Sequence, residues 1–492
     1  MIDDKMKTRN RPFLKEIALK PNRQQLKLDN LFFGAHAPLR RALNLAILAI
    51  IYPPSLLANP DGAQIISGQV SIDTSSPGVA NITNSPNAII QWQNFNIAQN
   101  EITRFIQQNG QSAVLNRIIG ENPSAILGQL ASNGKVLLIN PNGIVFGANS
   151  VIDTQGLIAS SLNLSDQDFF SGNYHFIAGS NAGSIVNEGI IRAGKDGNII
   201  LIAPSINNNG IIKTEGGQIT LAAGQNLVLT NLDDPDIRFE IQAPGNAVLN
   251  LGKLLTEGGA VNVFANTITH SGEINADSVS IDAQGNIKLV AEQHINLTQD
   301  SKLSANNSSG DAGTISVESK AGTVFANGAI EAKATETGKG GNISLLGEHI
   351  NVLNQAGIDA GGANGGGQVS VGDGRASGSA GIHNAKSVYI GADTAINADA
   401  KTSGNGGNVS VWSDNATLAY GHISAKGGEQ DGNGGVIQTS GHELDTSGIL
   451  VDASAVHGKA GKWRLSADNI NIVANRFAAG AGNTPKVATE QP

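Results

Sequence analysis

The chain has 492 residues, enough for two or three ordinary domains or for one long repetitive one. Gly supplies 61 of them without a G-X-Y period and 40 % are hydrophobic, which excludes collagen and wholesale disorder. The net charge of −9 is uneven: residues 1–41 hold ten Lys or Arg against four acids, leaving −15 for the rest, a sign that argues against a nucleic-acid partner.

The first predicted element follows that basic leader. After Arg40 and Arg41 comes the uncharged stretch Ala42 to Ala58, whose apolar part, Ala42–Tyr52, is too short to span a bilayer of about 30 Å. Pro53 and Pro54 break it, and Leu57-Ala58 precedes a polar start at Asn59. This is the basic, apolar, small-residue layout of a secretory signal, so residues 1–58 are expected to be an extended leader cleaved near Ala58. No later segment is apolar enough to anchor the mature chain, and the absence of Cys suits a chain that crosses an oxidising compartment unfolded.

Residues 59–180 are richer in large apolar residues and less repetitive, and are expected to form an N-terminal β cap. From about residue 184 a pattern recurs. Asn187-Glu-Gly189 precedes Ile190-Ile191, and Asn208-Asn-Gly210 precedes Ile211-Ile212. A glycine followed by a short alternating strand returns at Gly197, Gly217, Gly259, Gly313, Gly341, Gly367, Gly407, Gly435 and Gly461, spaced 20, 42, 54, 28, 26, 40, 28 and 26 residues apart. Read as one or two multiples of a 20–28 residue period, these spacings predict a solenoid over 186–476. The residue types predict a three-sided, right-handed parallel β-helix: Ile and Val stack inward, Ser, Thr, Asn and Gln face water, and Asn or Gly at corners tolerates left-handed backbone angles. About 4.8 Å per turn then gives roughly 18 turns and a rod of about 90 Å. Residues 477–492 read as a polar tail, with no evident C-terminal cap.

Residues 89–176 carry the informative motifs. They are Trp92–Phe95, the strand Ala113–Arg117 with Gly120-Glu-Asn-Pro-Ser124, Asn140-Pro-Asn-Gly-Ile144, Phe146-Gly147 and Gly156-Leu-Ile-Ala-Ser160. An Asn-Pro-Asn-Gly turn alone is common. In this order and spacing the segment closely resembles the haemagglutination-activity, or secretion, domain of filamentous-haemagglutinin-like proteins, assigned here to 59–185 together with the cap. Gly461-Lys-Trp-Arg-Leu-Ser-Ala-Asp-Asn-Ile-Asn-Ile472 resembles the Trp-Leu-Asp-Pro-like motif of the high-molecular-weight adhesin branch, although Arg464 and Ser466-Ala467 depart from it.

The resemblance implies two-partner secretion. Such chains cross the inner membrane of a Gram-negative bacterium, engage periplasmic modules of a dedicated outer-membrane β-barrel transporter, and fold outside the cell. It makes Asn122, Pro123, Asn140, Pro141, Asn142, Gly143 and Ile144 the candidate secretion motif, either as transporter contacts or as a turn that only satisfies its own backbone. The mature protein is expected to be a secreted or surface adhesin without cofactor or metal, binding glycans or proteins on host or bacterial cells. The alternatives are a carrier for a toxin or cytolysin, and a polysaccharide-acting β-helix enzyme. For the enzyme, Glu101 with Arg104 and Asp166 with Asp168 are the local charge groupings, His422 and His457 stand alone, and Gly427–Gly435 lacks the register of a calcium repeat. Asn-x-Ser/Thr acceptors at Asn81, Asn163, Asn296, Asn306, Asn307, Asn342, Asn408 and Asn415 add an expectation of glycosylation.

Overall fold

The computed structural model describes residues 59–468 apart from 230, 233–236, 241–244, 282 and 375–383. The leader, its cleavage point, the tail and the end of the 461–472 motif lie outside the described residues. Within them the chain is a right-handed parallel β-helix. One turn runs through Ile199–Ala203 (face A), Ser205–Asn208 (face B) and Ile211–Glu215 (face C) before Gln218–Ala223 returns to face A. Successive turns pair in parallel register, so Ile199 and Leu201 sit on Ile219 and Leu221, all fully buried. Each rung therefore stacks apolar side chains on like side chains, and within the rod each turn packs on the turns before and after it.

The recurring glycine has a packing cause. A Cβ on Gly217 would stand 2.1 Å from the carbonyl oxygen of Gly197, and one on Gly259 2.1 Å from that of Gly217. Neither glycine has a positive φ, and neither do Asn187 and Asn208. The expected left-handed corner is thus replaced at these positions by close backbone approach between turns.

Two of the spacings also resolve differently. Leu221 pairs directly with Val263, and Val371 with Val411, so the spacings of 42 and 40 are each one turn bearing an insertion. Only the spacing of 54 hides a whole turn, which carries Asn286–Leu297. Face C holds fifteen strands among the described residues, the first antiparallel, which makes the stack roughly 65 Å long instead of about 90 Å. The difference lies in excursions from the rod and in residues outside those described.

At the N-terminal end, Gln64–Ser67 runs antiparallel to Ala88–Trp92, and Val70–Asp73 antiparallel to Val79–Asn84. Parallel pairing begins immediately beyond, with Val79 on Ile102 and Ala88 on Val114. The large apolar residues of this region fill those first turns: Trp92 meets Phe95 edge-on at 5.7 Å, and Phe95 stacks on Phe105 at 6.4 Å, all buried.

The largest excursions form a second layer. Asn163–Leu164, Tyr174–Ile177, Asn226–Leu229 and Ile237–Glu240 make a four-stranded antiparallel sheet beside the short helix Asp166–Ser171. Its Leu164, Phe169, Phe176 and Leu227 cover the outward Leu115, Leu137, Ile158 and Ile200 of face A. That cover explains why Ile199–Ala203 is apolar at every position: the strand is buried on both sides. Arg117 ties the layer down, donating to the Leu164 carbonyl (2.6 Å) and pairing with Asp166 (2.7 Å).

Candidate functional site

The seven motif residues converge on the corner between faces A and B. Lys135–Ile139 ends face A, and the next residues must turn sharply to begin Ile144–Phe146 on face B. The turn is closed by the Gly143 N–H donating to the Asn140 carbonyl (3.0 Å), with Gly143 at φ 108°, where a side chain would be strained. A Cβ there would also stand 2.7 Å from the Ser184 carbonyl of the turn above.

Asn140 is fully buried and uses both ends of its carboxamide. Nδ2 donates to the Asn122 carbonyl and to Ser124 Oγ, each at 3.0 Å, while Oδ1 accepts from the Asn142 N–H at 3.0 Å. Asn142 Nδ2 reaches down to the Gly120 carbonyl at 2.8 Å. Ser124 and Ile144 are direct parallel partners, so 120–124 and 140–144 are one motif read on two consecutive turns. From above, the Gly183 N–H donates to the Pro141 carbonyl (2.7 Å). Asn122 and Pro123 are exposed, Pro141 and Asn142 half-buried, and Gly143 and Ile144 buried. The arrangement is a rigid corner with a small polar and prolyl surface.

The residues weighed for catalysis are placed otherwise. Glu101 accepts from the Ala98 N–H at 2.9 Å, and Arg104 reaches Asn81 at 3.5 Å. Asp166 pairs with Arg117, while Asp168 sits in the helix cap, its N–H on Ser165 Oγ at 3.0 Å. Asp431, in the Gly427–Gly435 loop, accepts from the Gly404 N–H at 2.7 Å. Of the glycosylation acceptors, Asn307 is buried with Nδ2 on the Ser280 and Asp311 carbonyls (2.9 and 3.1 Å), so the folded chain does not present it. No helix among the described residues is long and apolar enough to cross a membrane.

Sequence reasoning missed one polar feature, a ladder of side chains inside face B. Asn187 donates to Asn208 (2.7 Å), Asn208 to Asn250 (2.7 Å), and Asn250 meets His270 Nδ1 (3.0 Å), whose Nε2 faces the Lys302 carbonyl at 3.3 Å. All four are buried. Burial, against which the Lys302 carbonyl and Asn250 contacts work, lowers the His270 imidazole to about 4. The signal was present, since Asn187 and Asn208 occupy the same place in successive repeats, but it read as turn chemistry.

Residues 58–302 match the TPS secretion domain family. The fold superposes on the crystal structure of the HMW1 secretion domain from Haemophilus influenzae with a TM-score of 0.66 and 33 % identity, covering 83 % of this chain and 100 % of that one. A heme/hemopexin-binding protein of Haemophilus influenzae is 29 % identical over 234 residues, 46 % of this chain and 24 % of that protein. A hemolysin of Proteus mirabilis is 25 % identical over 297 residues, 50 % of this chain and 18 % of its own length. The chain thus spans about a quarter or less of these curated relatives. Exoproteins with this domain are secreted or surface-associated in Gram-negative bacteria, and the domain implies an outer-membrane transporter as partner. The chain belongs to the two-partner secretion exoproteins, the family that carries the TPS secretion domain.

Proposed function

We propose that this chain is an adhesin that reaches the cell surface or medium through its outer-membrane transporter and acts by binding, without catalysis. The likeness to the whole HMW1 secretion domain carries the export half of this reading. In the periplasm the transporter's soluble modules engage the still unfolded segment that carries Asn122, Pro123 and Asn140 to Ile144, after removal of a leader ending near Ala58, and the corner forms outside. Outside, turns add one on another, and each added turn biases movement outward without periplasmic ATP. The acidic rod then offers long solvent-facing strands to glycans or proteins of host or neighbouring cells. Its acids at Glu101, Asp166, Asp168 and Asp431 are tied into turns, caps and ion pairs, which favours binding over chemistry. The carrier alternative draws on the weaker likeness to the hemolysin, and a lysis assay on exported protein separates the two.

The test is export of the full chain with and without the transporter, assayed in medium and on cells, alongside Asn142→Ala. Transporter-dependent export is expected, falling at least tenfold in the variant. The variant's unfolding should shift by about 1–2 kcal/mol, since half-buried Asn142 loses its hydrogen bonds to the Gly120 carbonyl (2.8 Å) and to Asn140 Oδ1 (3.3 Å). N-terminal sequencing of exported protein checks the cleavage point. Equal export without the transporter would sink the reading.

A further inference from the structure

The outward side of face B gathers aromatic rings that the core does not use. From residue 303 to 468 the chain has five aromatic residues, and three of them, Phe325, Tyr389 and Tyr420, stand on this face within four consecutive rungs. Inside the same turns the buried positions are Val324, Ala326, Ile350, Val352, Val388 and Ile390, so packing calls for no ring there. Parallel pairing sets Asn296, Phe325, Asn351, Tyr389, Leu418 and Asp445 in one outward column, each on the next. The column is roughly 24 Å long, and Phe325 and Tyr389 lie two rungs, about 9.6 Å, apart. Phe325 is 38 % exposed and the two tyrosines are half-buried, so part of each ring faces solvent. Tyr389 meets Tyr420 edge-on with centroids 5.9 Å apart, and the Tyr420 hydroxyl donates to Asp445 at 2.9 Å.

Carboxamides and hydroxyls stand between and beside these rings. Asn296 and Asn351 flank Phe325 in the column, and neither side chain has a hydrogen-bond partner among the described residues. The adjacent outward column carries Thr323, His349 and Ser387, with His349 Nδ1 2.7 Å from Ser387 Oγ. At the edge of the face Asn354 and Gln355 take φ of 56° and 62°, the one consecutive pair of non-glycine residues with positive φ among the described residues. That conformation strains an L-residue and is characteristic of functional sites. It is held by Asn354 Nδ2 on Asn327 Oδ1 (3.3 Å) and by the Gln355 N–H on Asp393 (3.2 Å), and Gln355 itself is exposed. The charges nearby are already engaged: Lys386 pairs with Glu348 at 2.7 Å, and Asp445 accepts from Tyr420 and, at 2.9 Å, from the Ser447 N–H.

We propose that this face is a binding platform for a neutral glycan, laid along the column with sugar rings on Phe325 and Tyr389 and hydroxyls on the carboxamides of Asn351 and Gln355. The C–H face of a pyranose ring is apolar and packs on an aromatic face, while its hydroxyls, around the ring's edge, need groups that both donate and accept. Rings alternating with carboxamides along one line supply both in repetition, as a chain of sugars requires. An acidic glycan is disfavoured, because the one formal charge in the column is the Asp445 carboxylate and the neighbouring Lys386 is paired. The proposal rests on the adhesin reading above, names its ligand class, and puts the site beyond residue 302, where the match to the secretion-domain family ends.

The test uses the full chain, exported and purified, against an array of neutral and acidic oligosaccharides and against cultured animal cells. Binding to at least one neutral oligosaccharide is expected, nearly the same at low and high salt. Phe325→Thr with Tyr389→Thr keeps strand propensity and removes both rings; it should weaken binding at least tenfold, with circular dichroism and the unfolding midpoint as in wild type. Asn351→Asp should weaken binding severalfold. Gln355→Gly relieves the left-handed strain, so it should weaken binding severalfold without lowering the unfolding midpoint. Lys288→Thr, outward on face A, should leave binding unchanged. Neutral-glycan binding that the double variant retains, or binding confined to acidic glycans and lost at high salt, overturns the platform. Adhesion to cells through a surface protein, with no neutral glycan bound, also overturns it and leaves the adhesin reading standing. An exported chain that binds neither oligosaccharides nor cells overturns the adhesin reading itself.

Discussion

At Asn140 one carboxamide holds two turns together, and its chemistry makes a sharp prediction. Asn140→Ala strands the Asn122 carbonyl, Ser124 Oγ and the Asn142 N–H without their partner, and should cost about 3 kcal/mol. Asn140→Asp keeps the shape but replaces the donor with an acceptor facing the Asn122 carbonyl, so it should cost at least as much. Urea midpoints of the purified chain check this order; an Asp variant as stable as wild type would contradict it. His270 predicts a pH effect. Its imidazole titrates near 4 in the fold and near 6.5 when unfolded, so between those values the unfolded chain binds the extra proton. Stability is therefore unaffected above about pH 7 and falls as pH drops from 6.5 to 4, by about 3 kcal/mol in all. His270→Asn, which preserves a donor and an acceptor for the ladder, should remove most of that slope in midpoints measured at pH 7, 5.5 and 4.5. Neither role was legible beforehand. The sequence marks Asn140 and Asn187 as residues suited to turns, but which carbonyl each side chain meets depends on the turn stacked against it.

The extrahelical layer belongs to the element scale. Arg117 fastens it through the Leu164 carbonyl and Asp166, while Ile158 and Ile200 lie beneath. Arg117→Ala should loosen the layer without unfolding the rod, seen as faster proteolysis within 161–184 and increased binding of a hydrophobic dye. Unchanged proteolysis would show that apolar packing alone holds the layer. The strands of the rod were readable from the glycine spacing and the alternating Ile and Val. The layer was not, because an insertion at a corner lengthens a spacing in the same way as a weakly patterned turn does. The run Ile199–Ala203, apolar at every position, was the available clue that something covers the outer side of face A. The site corner was legible as a motif in its order and spacing, but the stacking of 120–124 beneath 140–144 was not, since register between turns lies outside local pattern.

For the whole molecule, additive stacking means that turns are removable parts. Thr314 pairs with Asn342 across one complete turn, so deleting residues 314–341 should join equivalent points of the helix and leave a shorter rod that still unfolds cooperatively. Deleting 314–327 takes rungs from faces A and B and leaves face C with its own, and should give a chain that aggregates or unfolds at lower temperature. Circular dichroism and thermal melts of the two deletions make the comparison. The antiparallel start, Gln64–Ser67 on Ala88–Trp92 and Val70–Asp73 on Val79–Asn84, has a further consequence. A bare first turn would present the same parallel edge that every turn offers its successor, and the last turn of another molecule could dock there. Repeated head to tail, that contact has no rotation to close it and would run on as a fibre. Reversed strands run against the winding of an incoming turn, so a docking turn finds no continuation of the parallel register and the described start of the rod is less open to end-to-end addition than a bare turn.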